Sequence, residues 1–132
     1  METLIFESTK STPYINFDPT THQLEIKGES YPENTAEYYQ PVLQWLKDYT
    51  MVVKAQQIVV NIELIYFNSS TSKVLMDIFD LLDLAAANNT VEINWIYDLE
   101  DEDNLEYGEE FQEDLKRLKF NFIGKSEASS EF

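Results

Sequence analysis

The sequence holds no cysteine, one histidine, three glycines and four prolines in 132 residues. Without cysteine there is no disulfide framework, no thiolate nucleophile and no zinc–cysteine site. A lone imidazole, His22, excludes any site that needs two. So few glycines leave no Gly-rich phosphate loop. Basic residues are also scarce: nine Lys and Arg face 25 Asp and Glu, a formal charge of −16 with a pI near 4.1. Such a surface repels phosphate backbones, which argues against nucleic acid and anionic membranes as partners. No apolar run approaches the roughly 18 residues of a membrane span. Glu63 and the acids Asp77, Asp80 and Asp83 break the longest ones. The opening Met1-Glu-Thr-Leu-Ile-Phe-Glu7 is no signal peptide, and Glu2 stands where a myristoylation signal needs Gly. A cytoplasmic location is expected.

Aromatic residues are plentiful, with eight Phe, eight Tyr and two Trp in a chain that is 43% hydrophobic. That composition excludes general disorder, and the length suits one domain with its own core. Three short extended segments come first, at 4–6, 13–17 and 23–27. Asp18-Pro19-Thr20-Thr21 makes a turn between the last two, so an N-terminal β-hairpin is expected. Residues 28–34 read as a loop. Tyr38, Val42, Trp45, Leu46 and Tyr49 repeat at helical spacing within 34–49. Pro41 conflicts with that helix, so either its regular part starts near Gln40 or it kinks.

The segment 57–67 is the strongest strand. Ile58, Val60, Ile62 and Leu64 share one face, while Val59 and Ile65 sit on the other. Apolar residues on both faces predict a central strand. The next helix opens at 68–72 and buries Val74, Leu75, Ile78, Leu81, Leu82 and Ala85, before Asn88-Asn89 stops it. Val91, Ile93, Trp95 and Tyr97 alternate as another strand. Ten of the seventeen residues from Asp98 to Asp114 are acidic and none is basic. The first half of that run is expected to be a mobile loop and the second an acidic helix reaching about Leu118. Phe120, Phe122 and Ile123 form a last short strand, and 125–132 reads as a flexible tail. Strand and helix alternate, which predicts an α/β fold with a largely parallel sheet, made mixed by the hairpin.

Four hydroxyls, Ser69 to Ser72, stand between a buried strand and a helix. Functional residues collect at this place in open parallel sheets, and a helix start tolerates phosphate. One of the hydroxyls also suits the helix cap, a role favoured for serine. The segment 64–82, Leu-Ile-Tyr-Phe-Asn-Ser-Ser-Thr-Ser-Lys-Val-Leu-Met-Asp-Ile-Phe-Asp-Leu-Leu, resembles the SiaC family of bacterial regulatory phosphoproteins. So do Gly28-Glu-Ser-Tyr-Pro-Glu-Asn34 and Gly108-Glu-Glu-Phe-Gln-Glu-Asp114.

The resemblance implies a STAS-like mixed sheet, with an N-terminal hairpin and about three helices packed on it. It spans 1–124 as a single domain. It also implies a non-enzymatic signalling protein without cofactor, phosphorylated by a protein kinase and dephosphorylated by a PP2C-like phosphatase. The unphosphorylated form would bind an effector, a diguanylate cyclase in the best-known branch. The family's phosphoacceptor is the threonine after the asparagine of Asn-Thr-Ser-Ser, a position held here by Ser69 after Asn68. Ser70 and Thr71 are the alternatives. Candidate partner-contact residues are Tyr31, Pro32, Glu33 and Asn34, with Asn68 beside the acceptor. Anti-sigma-factor antagonists carry Asp-Ser-Ser-Gly at this place. Here Asn68 and Thr71 replace the aspartate and glycine, and an antagonist-like partner-switching protein is the alternative reading.

Two other clusters read as solvated charge. The run 98–114 fails the EF-hand template, so calcium and magnesium are expected to bind it weakly or not at all. A docking surface for a basic partner suits it better. Asp77, Asp80 and Asp83 step along one helix ridge, with no reason for the raised pKa that acid–base catalysis needs. No catalytic residue and no metal site is therefore assigned.

Overall fold

A computed structural model describes residues 1–126. The chain runs β1 (Leu4–Phe6), β2 (Tyr14–Asp18), β3 (Gln23–Ser30), α1 (Thr35–Val52), β4 (Gln57–Phe67), α2 (Ser69–Ala85), β5 (Thr90–Asp98), α3 (Glu102–Gln112) and β6 (Lys119–Lys125). The six strands form one sheet in sequence order. The β1–β2 and β2–β3 pairs are antiparallel, and β3 to β6 are parallel. The mixed α/β sheet, its hairpin and the central place of residues 57–67 agree with the sequence.

Strand order and sequence order coincide, so every helical crossover steps the same way. Right-handed crossovers then put every helix on the same face. The register shows this. Phe17, Leu24, Val60, Ile93 and Phe120 lie in one row across the sheet. Trp45 of α1 packs on Phe17, Phe79 of α2 on Phe120, and Phe111 of α3 on Trp95, two residues from Ile93. The opposite face is not a second core. It carries an amide ladder, Asn121 to Asn94 to Asn61, at 2.9 and 2.8 Å. The Lys125–Glu63 and Lys119–Glu92 ion pairs belong to the same face. β4 is central because it has a strand on each side, while its Val59 face is left half-exposed.

Several boundaries differ from those read in the sequence. β3 continues through Ser30, where a loop was expected from Gly28. Gly28 at φ +125° and a register shift before Glu29 carry the strand onward. α1 begins at Thr35, not near Gln40. Asn34 accepts from Glu37 N–H at 3.0 Å and donates to the Glu37 carboxylate at 3.1 Å, a reciprocal cap that starts the helix early. Pro41 therefore sits in the interior, where it costs about 3 kcal/mol. Burial of Tyr39, Val42, Trp45, Leu46 and Tyr49 offsets it.

The buried faces also shift. Tyr39 takes the place given to Tyr38, and α2 buries Thr71 and Phe79 while Leu81 is half-buried. A helix wedged between a sheet and a second helix buries a wider stripe than an amphipathic count allows. α3 starts at Glu102, inside the expected mobile loop, and ends at Gln112 rather than Leu118. Asp101 caps it by accepting from Asn104 N–H at 3.1 Å, and a narrow face of Asn104, Gly108 and Phe111 meets the sheet. The tail expected over 125–132 lies outside the described residues from 127 onward. Lys125 closes β6 and pairs with Glu63 at 2.8 Å.

Candidate functional site

The carboxyl ends of β3 and β4 are adjacent, with Ser30 in register with Phe67. Each strand feeds a helix, so the loop 31–34 and the loop at Asn68 share one end of the sheet. Tyr31 meets Tyr66 edge-on with ring centres 5.7 Å apart. Asn68 N–H donates to the Ser30 carbonyl at 3.1 Å. Tyr31 and Asn68 are thus brought together, while Pro32 is buried and Glu33 and Asn34 are exposed.

The residues from 68 to 71 divide the local tasks among themselves. Asn68, in extended conformation, is the N-cap of α2: its side-chain oxygen accepts from Thr71 N–H at 2.9 Å. The cap is thus an asparagine, and no hydroxyl of the cluster is needed for it. Ser69 and Ser70 occupy the first two helical positions and are exposed. Thr71 points inward and is fully buried. α2 has no acid in its first turn, whereas α1 starts with Glu37 and α3 with Glu102 and Asp103. The positive end of the α2 dipole therefore has no carboxylate of its own helix beside it.

Beneath Ser69 lies a chain of buried hydroxyls that the sequence did not disclose. Tyr39 and Ser30 hydroxyls are 2.6 Å apart, Ser30 and Thr71 hydroxyls 2.9 Å, and Thr71 donates to the Ser30 carbonyl at 3.1 Å. Each hydroxyl has one proton. Thr71 gives its proton to the carbonyl, so Ser30 must donate to Thr71 and Tyr39 to Ser30. Burial raises the Tyr39 pKa far above the ordinary phenol range, which keeps that donor protonated. Ser30 and Thr71 are fully buried. The network ties β3, α1 and α2 together directly below the exposed serines.

Asn104 supplies a matching anchor from α3. Its side-chain amide donates to the Leu64 carbonyl at 2.8 Å, and its oxygen accepts from Trp95 Nε1 at 2.9 Å. The remaining candidates lie elsewhere. Asp77 and Asp80 are exposed further along α2, and Asp83 pairs with Arg117 at 2.8 Å. His22 bonds Tyr49 through Nδ1 at the other end of the sheet. No helix among the described residues is long and apolar enough to cross a membrane.

Comparison with known proteins agrees with this geometry. The family model described as SiaC family regulatory phosphoprotein matches residues 6–125. An uncharacterized protein of Pseudomonas aeruginosa strain UCBPP-PA14 is 36% identical over 115 residues, covering 86% of this chain and 90% of that one. The crystal structure of apo-SiaC from Pseudomonas aeruginosa superposes with a TM-score of 0.81 at 32% identity, covering 93% of this chain and 99% of that one. SiaC in complex with the diguanylate cyclase SiaD, of which it is the activator, gives a TM-score of 0.84 at 32% identity, covering 92% and 99%. On the family match and these structural likenesses, the chain belongs to the SiaC family of regulatory phosphoproteins.

Proposed function

We propose that Ser69 is the phosphoacceptor of a switch whose unphosphorylated form binds and activates a diguanylate cyclase. The observation that carries the reading is the division of tasks at residues 68–71. Asn68 caps, Thr71 packs, and Ser69 presents its side chain outward on the first turn of α2. A kinase active site must reach the hydroxyl it phosphorylates. Thr71, spent on the Ser30 carbonyl and fully buried, offers no such access without opening of the helix start. Ser70 is exposed and is the remaining alternative.

A phosphoryl group on Ser69 would gain roughly 0.3 to 1 kcal/mol from the helix end. The fold should therefore tolerate it. Its effect would fall on the partner, which must desolvate or avoid a charge of about −1.5 to −2. The protein itself performs no chemistry in this scheme. A cytoplasmic kinase and a PP2C-like phosphatase set its state.

The test is phosphorylation of the purified protein by the cognate kinase with ATP, followed by tandem mass spectrometry and assay of cyclic-di-GMP synthesis by the cyclase. Phosphate is expected on Ser69, with loss of activation. Ser69→Ala should activate constitutively, and Ser69→Asp should lose part of the activation, only part because aspartate carries less charge than phosphate. Phosphate confined to Ser70 would move the acceptor. No phosphate in residues 69–72, with both variants activating like the unmodified protein, would defeat the switch.

A further inference from the structure

The central strand loses one neighbour before it ends. β4 pairs with β5 only as far as Ile62 and Trp95, although β4 stays paired with β3 up to Phe67 and β5 with β6 up to Asp98. Residues 63–67 and 96–98 therefore part. Asn104 bridges the top of the split by donating to the Leu64 carbonyl, where a strand neighbour would have donated. A doubly wound sheet opens a crevice by reversing its strand order. This sheet never reverses, and the parting of β4 from β5 opens one instead.

The cleft consists of two hollows of about 350 and 260 Å³ that meet at Ile65, Asp101 and Asn104. Its apolar surface is unusually open: Ile65 is 70% exposed, Tyr66 53% and Tyr107 48%. Its rim carries Asp98, Asp101 and Asp103. The lysine that lines it, Lys125, is held by Glu63 at 2.8 Å, so the aspartates set the sign of the rim. The cleft also continues into the switch. Tyr66 is three residues before Ser69, which keeps their Cα atoms within about 11 Å.

We propose that this cleft is the docking site for a basic segment of the cyclase. An aliphatic or aromatic side chain of that segment seats on Ile65 and Tyr66. Its Lys or Arg side chains meet the rim aspartates, and a guanidinium can stack on Tyr66 or Tyr107. This inference rests on the reading of the protein as a cyclase-binding switch. A phosphate on Ser69 has the sign of the rim, so charge alone would draw a basic segment closer. Release on phosphorylation then comes from the cost of desolvating the dianion beneath the partner.

The test is biolayer interferometry with the source organism's cyclase at low and high salt, with thermal unfolding of each variant as a check on folding. Tyr66→Ala should weaken binding about tenfold, as loss of an aromatic anchor does. Asp101→Asn combined with Asp103→Asn should slow association several-fold at low salt and flatten its salt dependence. Asparagine preserves the cap that Asp101 provides to α3. Asp77→Asn combined with Asp80→Asn removes the same charge from α2 and should change the rate less than about twofold. The cleft is overturned if Tyr66→Ala binds normally and the two charge pairs act alike. If phosphorylation still releases the cyclase in that case, the switch stands and the cleft alone falls. If the cleft variants weaken binding while phosphorylation of Ser69 does not, the switch falls and the cleft stands. No binding by the unmodified protein overturns both.

Discussion

A single methyl-bearing hydroxyl decides how the start of α2 is held against β3. Thr71 accepts from Ser30 and donates to the Ser30 carbonyl within a site closed to water. Thr71→Val keeps the shape and strips both bonds, leaving the buried Ser30 hydroxyl without an acceptor and the Ser30 carbonyl with only the Asn68 N–H. A loss of about 2 to 3 kcal/mol is expected, read by urea unfolding. Tyr39→Phe removes only the terminal donor and should cost about 1 kcal/mol. Ser69→Ala, by contrast, should leave stability within about 0.5 kcal/mol, because its side chain faces solvent. The tyrosines also set an alkaline limit. Burial raises the Tyr49 phenol from 10.0 to about 12, and Tyr38 and Tyr39 are shifted the same way. A raised folded pKa means that the unfolded chain releases its proton first, so this stability is intact below pH 10 and is lost as pH rises toward 12. A pH series of melting temperatures checks this, and Tyr49→Phe should flatten the decline.

At the scale of elements, α3 shows how an acidic segment with little apolar surface is made to fold. Its helix rests on Trp95 because Gly108 has no side chain. A Cβ there would stand 2.7 Å from the indole ring and 2.9 Å from Phe122. Alanine is the better helix former by about 1 kcal/mol. Gly108→Ala should nevertheless destabilise the protein by about 1 to 3 kcal/mol, since the neighbours are backed by the core and must shift. Thermal unfolding decides the sign. α2 provides the comparison: Asn68→Ala should cost about 1 kcal/mol by loss of the cap, and Asn68→Ser should restore most of it. The start of α2 thus combines a replaceable cap with an exposed serine, while the acidic helix depends on one close approach.

Across the whole molecule, a formal charge of −16 is spread over a two-layer fold with one open sheet face. Self-repulsion of this size opposes the compact state. Stability should therefore rise between about 0.01 and 0.5 M salt, as the Debye length shrinks from about 30 Å to only a few ångströms. Differential scanning calorimetry at matched pH tests the direction. The Arg117–Asp83 and Lys119–Glu92 pairs lie at the surface and weaken over the same range, but surface pairs of this kind contribute little. A falling melting temperature would mean that pair attractions outweigh the net repulsion.

Local spacing alone carried the order of strands and helices, the central position of β4 and the place of the hydroxyl cluster, because periodicity and turn chemistry are written in neighbouring residues. The same pattern marked Trp45, Leu46, Ile78 and Leu82 as core. It left open whether α1 starts near Gln40 or kinks at Pro41, and the cap between Asn34 and Glu37, which starts the helix at Thr35, decides for an interior proline. It started the acidic helix too late and carried it too far, to about Leu118, because one buried face of Asn104, Gly108 and Phe111 is too thin to outweigh the acids in a count of charge. Nothing local separates Ser69 from Thr71 in chemistry. Their difference arises when Ser30 and Tyr39, far apart in sequence from Thr71, close on it from β3 and α1. The split between β4 and β5 has the same origin. Each strand is regular by itself, and only the register between them determines where they part.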